Sequence, residues 1–241
     1  MRLLVFQHID IEHPAIFRDF LAEDGVAWDA VELDQGEPIP SLDSYDALWV
    51  MGGPMDVWQE DEHPWLVPEK AAVREAVVER RMPFFGVCLG HQLLCEALGG
   101  AVGPMAQGEI GVLDVELTPA GTDDPLFAGL GPTITSLQWH SAEVSALPPG
   151  GVALGRSPVC PVQALRVGDR AWGIQFHCEV TAATVPEWGE VPAYRQALED
   201  SLGAAAMARF QAEAAAALPG FNASARTLYD NFMARARPVT A

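Results

Sequence analysis

The sequence predicts an α/β fold with a mostly parallel sheet that helices cover on both faces. Over the first 100 residues, short apolar segments alternate with segments of helical periodicity, as expected for strand–helix repeats. The strand-like segments are apolar along almost their whole length, which is typical of parallel strands buried on both faces. After Gly100, strand-like segments often follow one another across turns, so we expect mixed or antiparallel strands to extend the sheet.

The elements of the first half follow from apolar spacing and from proline and glycine signals. Pro68 suits the first turn of a helix, Pro83 closes that helix, and Gly99 and Gly100 stop the next one. Strands are predicted over residues 2–9, 26–33, 46–51 and 83–88, and helices over 14–24, 68–82 and from the end of the fourth strand through Leu98.

The second half is predicted to add strands and two closing helices. No change of composition marks a boundary, so residues 1–241 are expected to form one domain with a core over about 1–180. The strand-like segments are 111–118, 134–138, 143–147, 160–167 and 171–178, with a loop over 119–132, a connector over 180–192 and helices over about 193–217 and 224–236.

The charge balance excludes some classes of partner. The chain has 14 Lys and Arg residues against 33 Asp and Glu residues, a formal net charge of −19. A chain this acidic repels phosphate backbones and anionic lipid, so neither nucleic acid nor a membrane surface is an expected partner. No apolar run is long enough to span a bilayer, and His8 and Asp10 interrupt the N-terminal run before a signal-peptide core. We therefore expect a cytoplasmic protein that begins with a buried strand.

Cysteine and histidine spacing argues against a metal or disulfide protein. Cys88, Cys95, Cys160 and Cys178 form no C-x-x-C pair, and the six histidines show no H-x-x-x-H pattern. A zinc site or a disulfide framework needs such spacings. No metal and no cofactor are expected.

Cys88 stands where a predicted strand meets a predicted helix. A helix N-terminus favours a thiolate, and such a turn exposes the sulfur at the carboxyl edge of the sheet, where α/β proteins bind ligands. Gly86-x-Cys88-x-Gly90 fits the G-x-nucleophile-x-G pattern of a nucleophile elbow, with the Leu89 amide directed at a developing oxyanion. Taken alone, a buried apolar cysteine is the more common explanation of such a segment.

Two further segments favour catalysis. Gly52-Gly53-Pro54 follows a strand, and the Gly53 N–H could complete an oxyanion hole, although an ordinary turn is the simpler explanation of these glycines. If residues 171–178 continue as a strand, His177 and Glu179 project from one face, so the carboxylate can orient the imidazole.

These motifs together resemble class I (triad-type) glutamine amidotransferases, and most closely the free-standing proteins related to the amidotransferase domain of GMP synthase. The resemblance implies a flavodoxin-like three-layer sandwich. It also implies that Cys88 attacks the glutamine side-chain amide, that His177 is the base, and that Glu179 orients it. The amides of Gly53 and Leu89 would form the oxyanion hole.

The same resemblance implies the substrate contacts. Glutamine would be held by residues of the GGP turn, by the amide after the nucleophile, and by a histidine–serine segment farther along the chain. These residues are Gly52, Pro54, Gln92, His140, Ser141 and Ala142. The neighbouring His91 is expected to have a packing role, because the family places its base downstream.

Three functions stay open at this level. The first is a glutaminase or amidotransferase that supplies ammonia to a separate synthetase or acceptor protein, since the sequence shows no phosphate loop and no attached synthetase domain. The second is a hydrolase of γ-glutamyl peptides or amides that uses the same triad. The third, disfavoured by the intact Cys88, His177 and Glu179, is an inactive binding or regulatory module.

Overall fold

The computed structural model describes residues 1–237, and within them nine strands form one sheet. The strands are β1 (Arg2–Gln7), β2 (Ala27–Glu32), β3 (Ala47–Val50), β4 (Phe84–Val87), β5 (Ala101–Leu117), β6 (Thr133–Ala146), β7 (Gly151–Arg156), β8 (Ala164–Val167) and β9 (Ala171–Ile174). Their order is β2-β1-β3-β4-β9-β8-β7-β5-β6. The first five in this order pair in parallel and the remaining pairs are antiparallel, as the sequence predicts.

The helices cover both faces of the parallel part of the sheet. They are α1 (Phe17–Glu23), α2 (Leu66–Arg74, prolonged by a π-helical turn over Glu75–Glu79), α3 (Leu89–Ala97), α4 (Pro119–Thr122), α5 (Thr184–Trp188), α6 (Pro192–Leu202) and α7 (Ala206–Ala236). No helix described within residues 1–237 combines the length and the apolar character needed to cross a bilayer.

Alternate residues of the central strands pack on opposite layers. Trp49 and Phe85 lie on one face and contact Phe232 of α7 at ring-centroid distances of 5.8 and 5.7 Å. Val50 and Phe84 point to the other face, where they belong to the same apolar cluster as residues of α2 and α3. The three-layer α/β fold, which is that of flavodoxin, is therefore confirmed.

The C-terminal helices differ from the prediction in where they break. The chain turns at Gly203, which has φ 88°, and α7 then runs unbroken past Pro219. Pro219 is exposed, so its missing N–H leaves no buried group unpaired. Phe210 and Phe221 on either side of it are both buried in one cluster on the sheet, and that packing outweighs the local cost of the proline.

The antiparallel half also departs from the prediction. Residues 134–138 and 143–147 belong to one strand, β6, which pairs with the whole length of β5. The strand β7 was missed because Gly151 and Gly155 weaken its apolar pattern, and β8 begins only at Ala164. The predicted loop over 119–132 contains α4, and the predicted connector over 180–192 contains α5.

Candidate active site

Cys88 occupies the one-residue junction between β4 and α3. Its backbone has φ 52° and ψ −104°, a conformation that non-glycine residues rarely adopt and that is commonly held in place at functional sites. The surrounding chain fixes it: Cys88 N–H donates to Ile174 O at 2.8 Å, and Cys88 O accepts from the amides of His91 and Gln92. The predicted elbow is therefore present as a backbone geometry.

The glycines beside Cys88 are required by close backbone packing. A Cβ on Gly86 would lie 2.4 Å from Gly90 O, and a Cβ on Gly90 would lie 2.0 Å from Val50 O. The turn therefore brings β3, β4 and α3 closer together than any side chain would permit.

We expect Gly90→Ala to lower the free energy of unfolding by about 1–3 kcal/mol, because the added methyl must push α3 away from β3. Denaturant unfolding followed by circular dichroism measures this. Gly220→Ala is the matched control, since its Cβ would meet open space on exposed helix and should stabilise the protein by up to about 1 kcal/mol. Equal unfolding midpoints for Gly90→Ala and the wild type would contradict the packing argument.

His177 and Glu179 form a buried pair. His177 Nδ1 lies 2.7 Å from Glu179 Oε1, and Glu179 Oε2 accepts a hydrogen bond from Cys178 N–H at 3.0 Å. The predicted strand ends at Ile174, so the pair is not placed by strand alternation. Instead, His177 is held by two backbone hydrogen bonds of 2.9 Å with Leu137 of β6, which form an isolated bridge.

The imidazole of His177 is set up to hold a proton. Burial opposes its charge, but the Glu179 carboxylate and the nearby Cys88 thiol outweigh burial, so the pKa of His177 lies well above its usual value. The edge of the Trp188 ring covers the imidazole at a centroid distance of 4.7 Å. The pair can therefore exchange a proton with Cys88 in a site closed to bulk water.

Most of the predicted site residues line one cavity of about 180 Å³. Gly52, His177 and Glu179 are not among its lining residues, and the last two are buried. From the prediction, the cavity is lined by Gly53, Pro54, Cys88, Leu89, Gln92, His140, Ser141 and Ala142. The structure thus brings segments from β3, α3 and β6 to one place at the carboxyl ends of the parallel strands.

The polar side chains near the sulfur form a chain. Gln92 Nε2 donates to Gln175 Oε1 at 3.0 Å, and Gln175 Nε2 lies 3.5 Å from Cys88 Sγ. Gln175 was not singled out in the sequence, although it stands two residues before His177. Both glutamines are buried, so their amides are oriented before any substrate arrives.

His140 turns away from the sulfur toward a second buried group. Its Nδ1 lies 3.0 Å from Ala142 O, and its Nε2 lies 3.2 Å from Glu109 Oε2. Ligand atoms of Glu109, His140 and Cys160 lie within 4.8 Å of one another, as in a metal site. Hydrogen bonds account for this cluster, since Gln163 donates to Glu109, and burial raises the pKa of Cys160 to about 12 and so opposes the thiolate that a metal needs.

Sequence reasoning missed the buried acidic residue Glu12 and its partner Tyr194. The Tyr194 hydroxyl donates to Glu12 Oε1, and Tyr194 also lines the cavity. Burial raises the pKa of Glu12, and burial together with the Glu12 charge raises that of Tyr194. The two residues are 182 positions apart, so no local pattern could have linked them.

Comparisons with known proteins agree with this geometry. The family model "Glutamine amidotransferase class-I" matches residues 17–187. The glutamine amidotransferase-like protein YfeJ of Salmonella typhimurium is 33% identical over 208 residues, which are 84% of this chain and 85% of that protein. A subunit of the glutamine-hydrolysing GMP synthase of Sulfurisphaera tokodaii is 33% identical over 152 residues, 63% of this chain and 76% of that one.

A solved structure shows the same fold. The crystal structure of a glutamine amidotransferase from Thermotoga maritima superposes with a TM-score of 0.84 at 27% identity, covering 96% of this chain and 97% of that one. The family match spans α1 through α5 and so includes the elbow, the GGP turn and the His177–Glu179 pair. The chain belongs to the class I glutamine amidotransferase family.

Proposed function

We propose that the protein hydrolyses the side-chain amide of glutamine through a thioester on Cys88 and supplies the ammonia to a separate acceptor. The observation that carries this proposal is the strained elbow at Cys88 together with the buried His177–Glu179 pair that faces it. A cysteine, an imidazole and an orienting carboxylate are the parts that nucleophilic acyl transfer needs.

The reaction has two halves. The Cys88 sulfur attacks the amide carbon while His177 holds the thiol proton, which then goes to the departing nitrogen, and ammonia leaves. A water then attacks the γ-glutamyl thioester with His177 as general base, which releases glutamate and restores the thiol. Glu179 keeps His177 Nδ1 protonated, so that Nε2 serves the sulfur.

Backbone amides would stabilise the negative oxygen in both halves. Leu89 opens α3, and Gly53 follows β3, and both line the cavity with Cys88. Gly53 is packed against Leu89, since a Cβ on Gly53 would lie 3.0 Å from Leu89 Cδ2. Two amides fixed by tightly packed backbone suit an oxyanion hole.

The cavity suits a substrate the size of glutamine. Gln92 and the Ser141–Ala142 segment lie on its wall and would hold the α-amino and α-carboxylate groups. Delivery of ammonia to another protein is supported by the similarity to the Sulfurisphaera tokodaii protein, whose name makes it one subunit of a glutamine-hydrolysing enzyme. The acceptor protein would dock where the cavity opens.

One observation favours a second function, the hydrolysis of γ-glutamyl peptides. An open groove of about 670 Å³ adjoins the cavity through Ser141, Ala193 and Ala197. Its far wall includes Gln107 of β5 and Ser201 of α6. A groove of this size leaves room for a substrate that extends beyond glutamine.

Glutamate release from glutamine and from a panel of γ-glutamyl dipeptides separates the two functions. We expect kcat/KM for glutamine to exceed that for every dipeptide at least tenfold. A Ser201→Trp variant fills the groove without touching the cavity, and it should leave glutamine turnover unchanged. A dipeptide preference that disappears in Ser201→Trp would retire the amidotransferase proposal in favour of the hydrolase.

A further inference from the structure

A buried ion pair lies directly behind the turn that carries Gly53. His8 follows the end of β1, and its side chain is fully buried, as is that of Glu69 in the first turn of α2. His8 Nδ1 lies 2.7 Å from Gly52 O, and His8 Nε2 lies 2.8 Å from Glu69 Oε1. The triad chemistry uses neither residue, so their burial calls for a separate explanation.

The protonation of His8 follows from its partners. Gly52 O has only lone pairs to offer, so Nδ1 must carry a proton, and the Glu69 carboxylate likewise accepts a proton from Nε2. Burial opposes this charge, but Glu69 and the Gly52 carbonyl outweigh burial and raise the pKa of His8. The pair is therefore an imidazolium and a carboxylate, which is costly to bury unless it has a task.

Peptide geometry connects this pair to the oxyanion hole. The peptide that joins Gly52 to Gly53 is trans and planar, so its C=O and its N–H point in opposite directions. A hydrogen bond that anchors Gly52 O on His8 therefore fixes Gly53 N–H pointing away from His8. Within residues 1–237, Gly53 N–H donates to no other backbone carbonyl, so it is free for a ligand.

We propose that His8 and Glu69 are positioning residues that aim and polarise the Gly53 N–H of the oxyanion hole. This inference rests on the proposed function. A positive charge on the far side of the peptide strengthens its N–H as a donor, because linked hydrogen bonds polarise one another. Glycines are required at this turn, since a Cβ on Gly53 would lie 2.9 Å from His8 Cβ, and one on Gly52 would lie 2.4 Å from Glu12 Oε2.

The proposal predicts a loss confined to steps that develop an oxyanion. Removing one donor of an oxyanion hole costs about 10²- to 10³-fold in kcat. His8→Leu removes the anchor but not the donor, so we expect kcat for glutamine to fall at least tenfold with KM changed less than threefold. His8→Asn places an amide donor near the position of Nδ1 and should recover most of that loss.

A second readout separates aiming from general damage. Alkylation of Cys88 by iodoacetamide joins sulfur to carbon and expels iodide, and no carbonyl oxygen becomes charged. Its rate should stay within twofold of the wild type in His8→Leu and His8→Asn. His63→Leu is the matched control, because His63 contacts the same Trp65 ring as His8, also at 5.4 Å, but is separate from Gly52.

The outcomes are distinct. A tenfold loss of kcat in His8→Leu, recovery in His8→Asn, unchanged His63→Leu and constant alkylation support the inference. Wild-type kcat in His8→Leu, equal losses in His8→Leu and His8→Asn, or a parallel loss of alkylation overturn it. If the wild type itself releases no glutamate from glutamine or any γ-glutamyl dipeptide while Cys88 still alkylates, the proposed function fails instead.

Discussion

Cys88→Ala is expected to lower glutamate release from glutamine at least about 10³-fold, the scale seen when an enzyme loses its nucleophile. The alanine keeps the Cβ and the strained backbone of the elbow and removes only the sulfur. The lost contacts are few, because the sulfur has a long hydrogen bond of 3.5 Å from the side chain of Gln175. We therefore expect the free energy of unfolding to change by no more than about 1 kcal/mol.

Cys95→Ala is the matched control for this prediction. Cys95 lies seven residues later in α3, is fully buried, and has a pKa raised to about 12 by burial, so it is not a nucleophile. Its sulfur packs near Ala146 O at 3.3 Å, so its loss should cost stability and spare the rate. Turnover that survives in Cys88→Ala, or that disappears in Cys95→Ala while the protein stays folded, would contradict the assignment of the nucleophile.

The nucleophile and its base were predictable because each belongs to a local pattern. Cys88 is marked by glycines at spacing two on either side, and the structure shows that both are needed where backbone meets backbone. The His177–Glu179 pair was found for a reason that does not hold, since the strand ends before it. The residues still meet because the short Glu179 side chain turns back to both His177 and Cys178 N–H.

The supporting groups were not predictable because their partners are distant in sequence. His8 reads as an interruption of an apolar run, and only the fold brings it to Gly52 and Glu69, 44 and 61 residues away. Tyr194 reads as part of a helix near the C-terminus. A buried charged residue carries no local signal until its partner is known, and this limit applies to Glu12 as well.

The parallel half of the sheet was predicted better than the antiparallel half for a physical reason. Parallel strands buried on both faces need continuous apolar runs, which stand out from the helices between them. The long hairpin of β5 and β6 is open on part of its surface and contains Gly103, Pro104 and Gly108, with a break in register between Pro104 and Glu109. Its apolar signal is therefore interrupted although the strand is continuous.

Glu179→Gln is expected to lower kcat by about 10²- to 10⁴-fold with little change in KM, by analogy of mechanism with the loss of an orienting carboxylate in other triads. Both oxygens of Glu179 accept hydrogen bonds, one from His177 Nδ1–H and one from Cys178 N–H. An amide can satisfy only one of these donors with its oxygen.

The backbone decides which one it satisfies. Cys178 N–H cannot change its character, so the amide oxygen stays there and the NH₂ group faces His177. Nδ1 must then accept, which places the single imidazole proton on Nε2, the nitrogen that has to serve as base for Cys88. The variant would be folded and would bind substrate, but its imidazole would hold the wrong tautomer.

Glu187→Gln on α5 makes the same change beside Trp188, the residue that covers the His177 ring, and should leave kcat unaltered. The pH dependence adds a test with a definite sign. Glu179 raises the pKa of His177, so the imidazolium of Glu179→Gln should lose its proton at lower pH than that of the wild type. If kcat and the titration of His177, followed by NMR, are the same in Glu179→Gln and wild type, then Glu179 does not orient the base, and the buried pair has to be explained by stability alone.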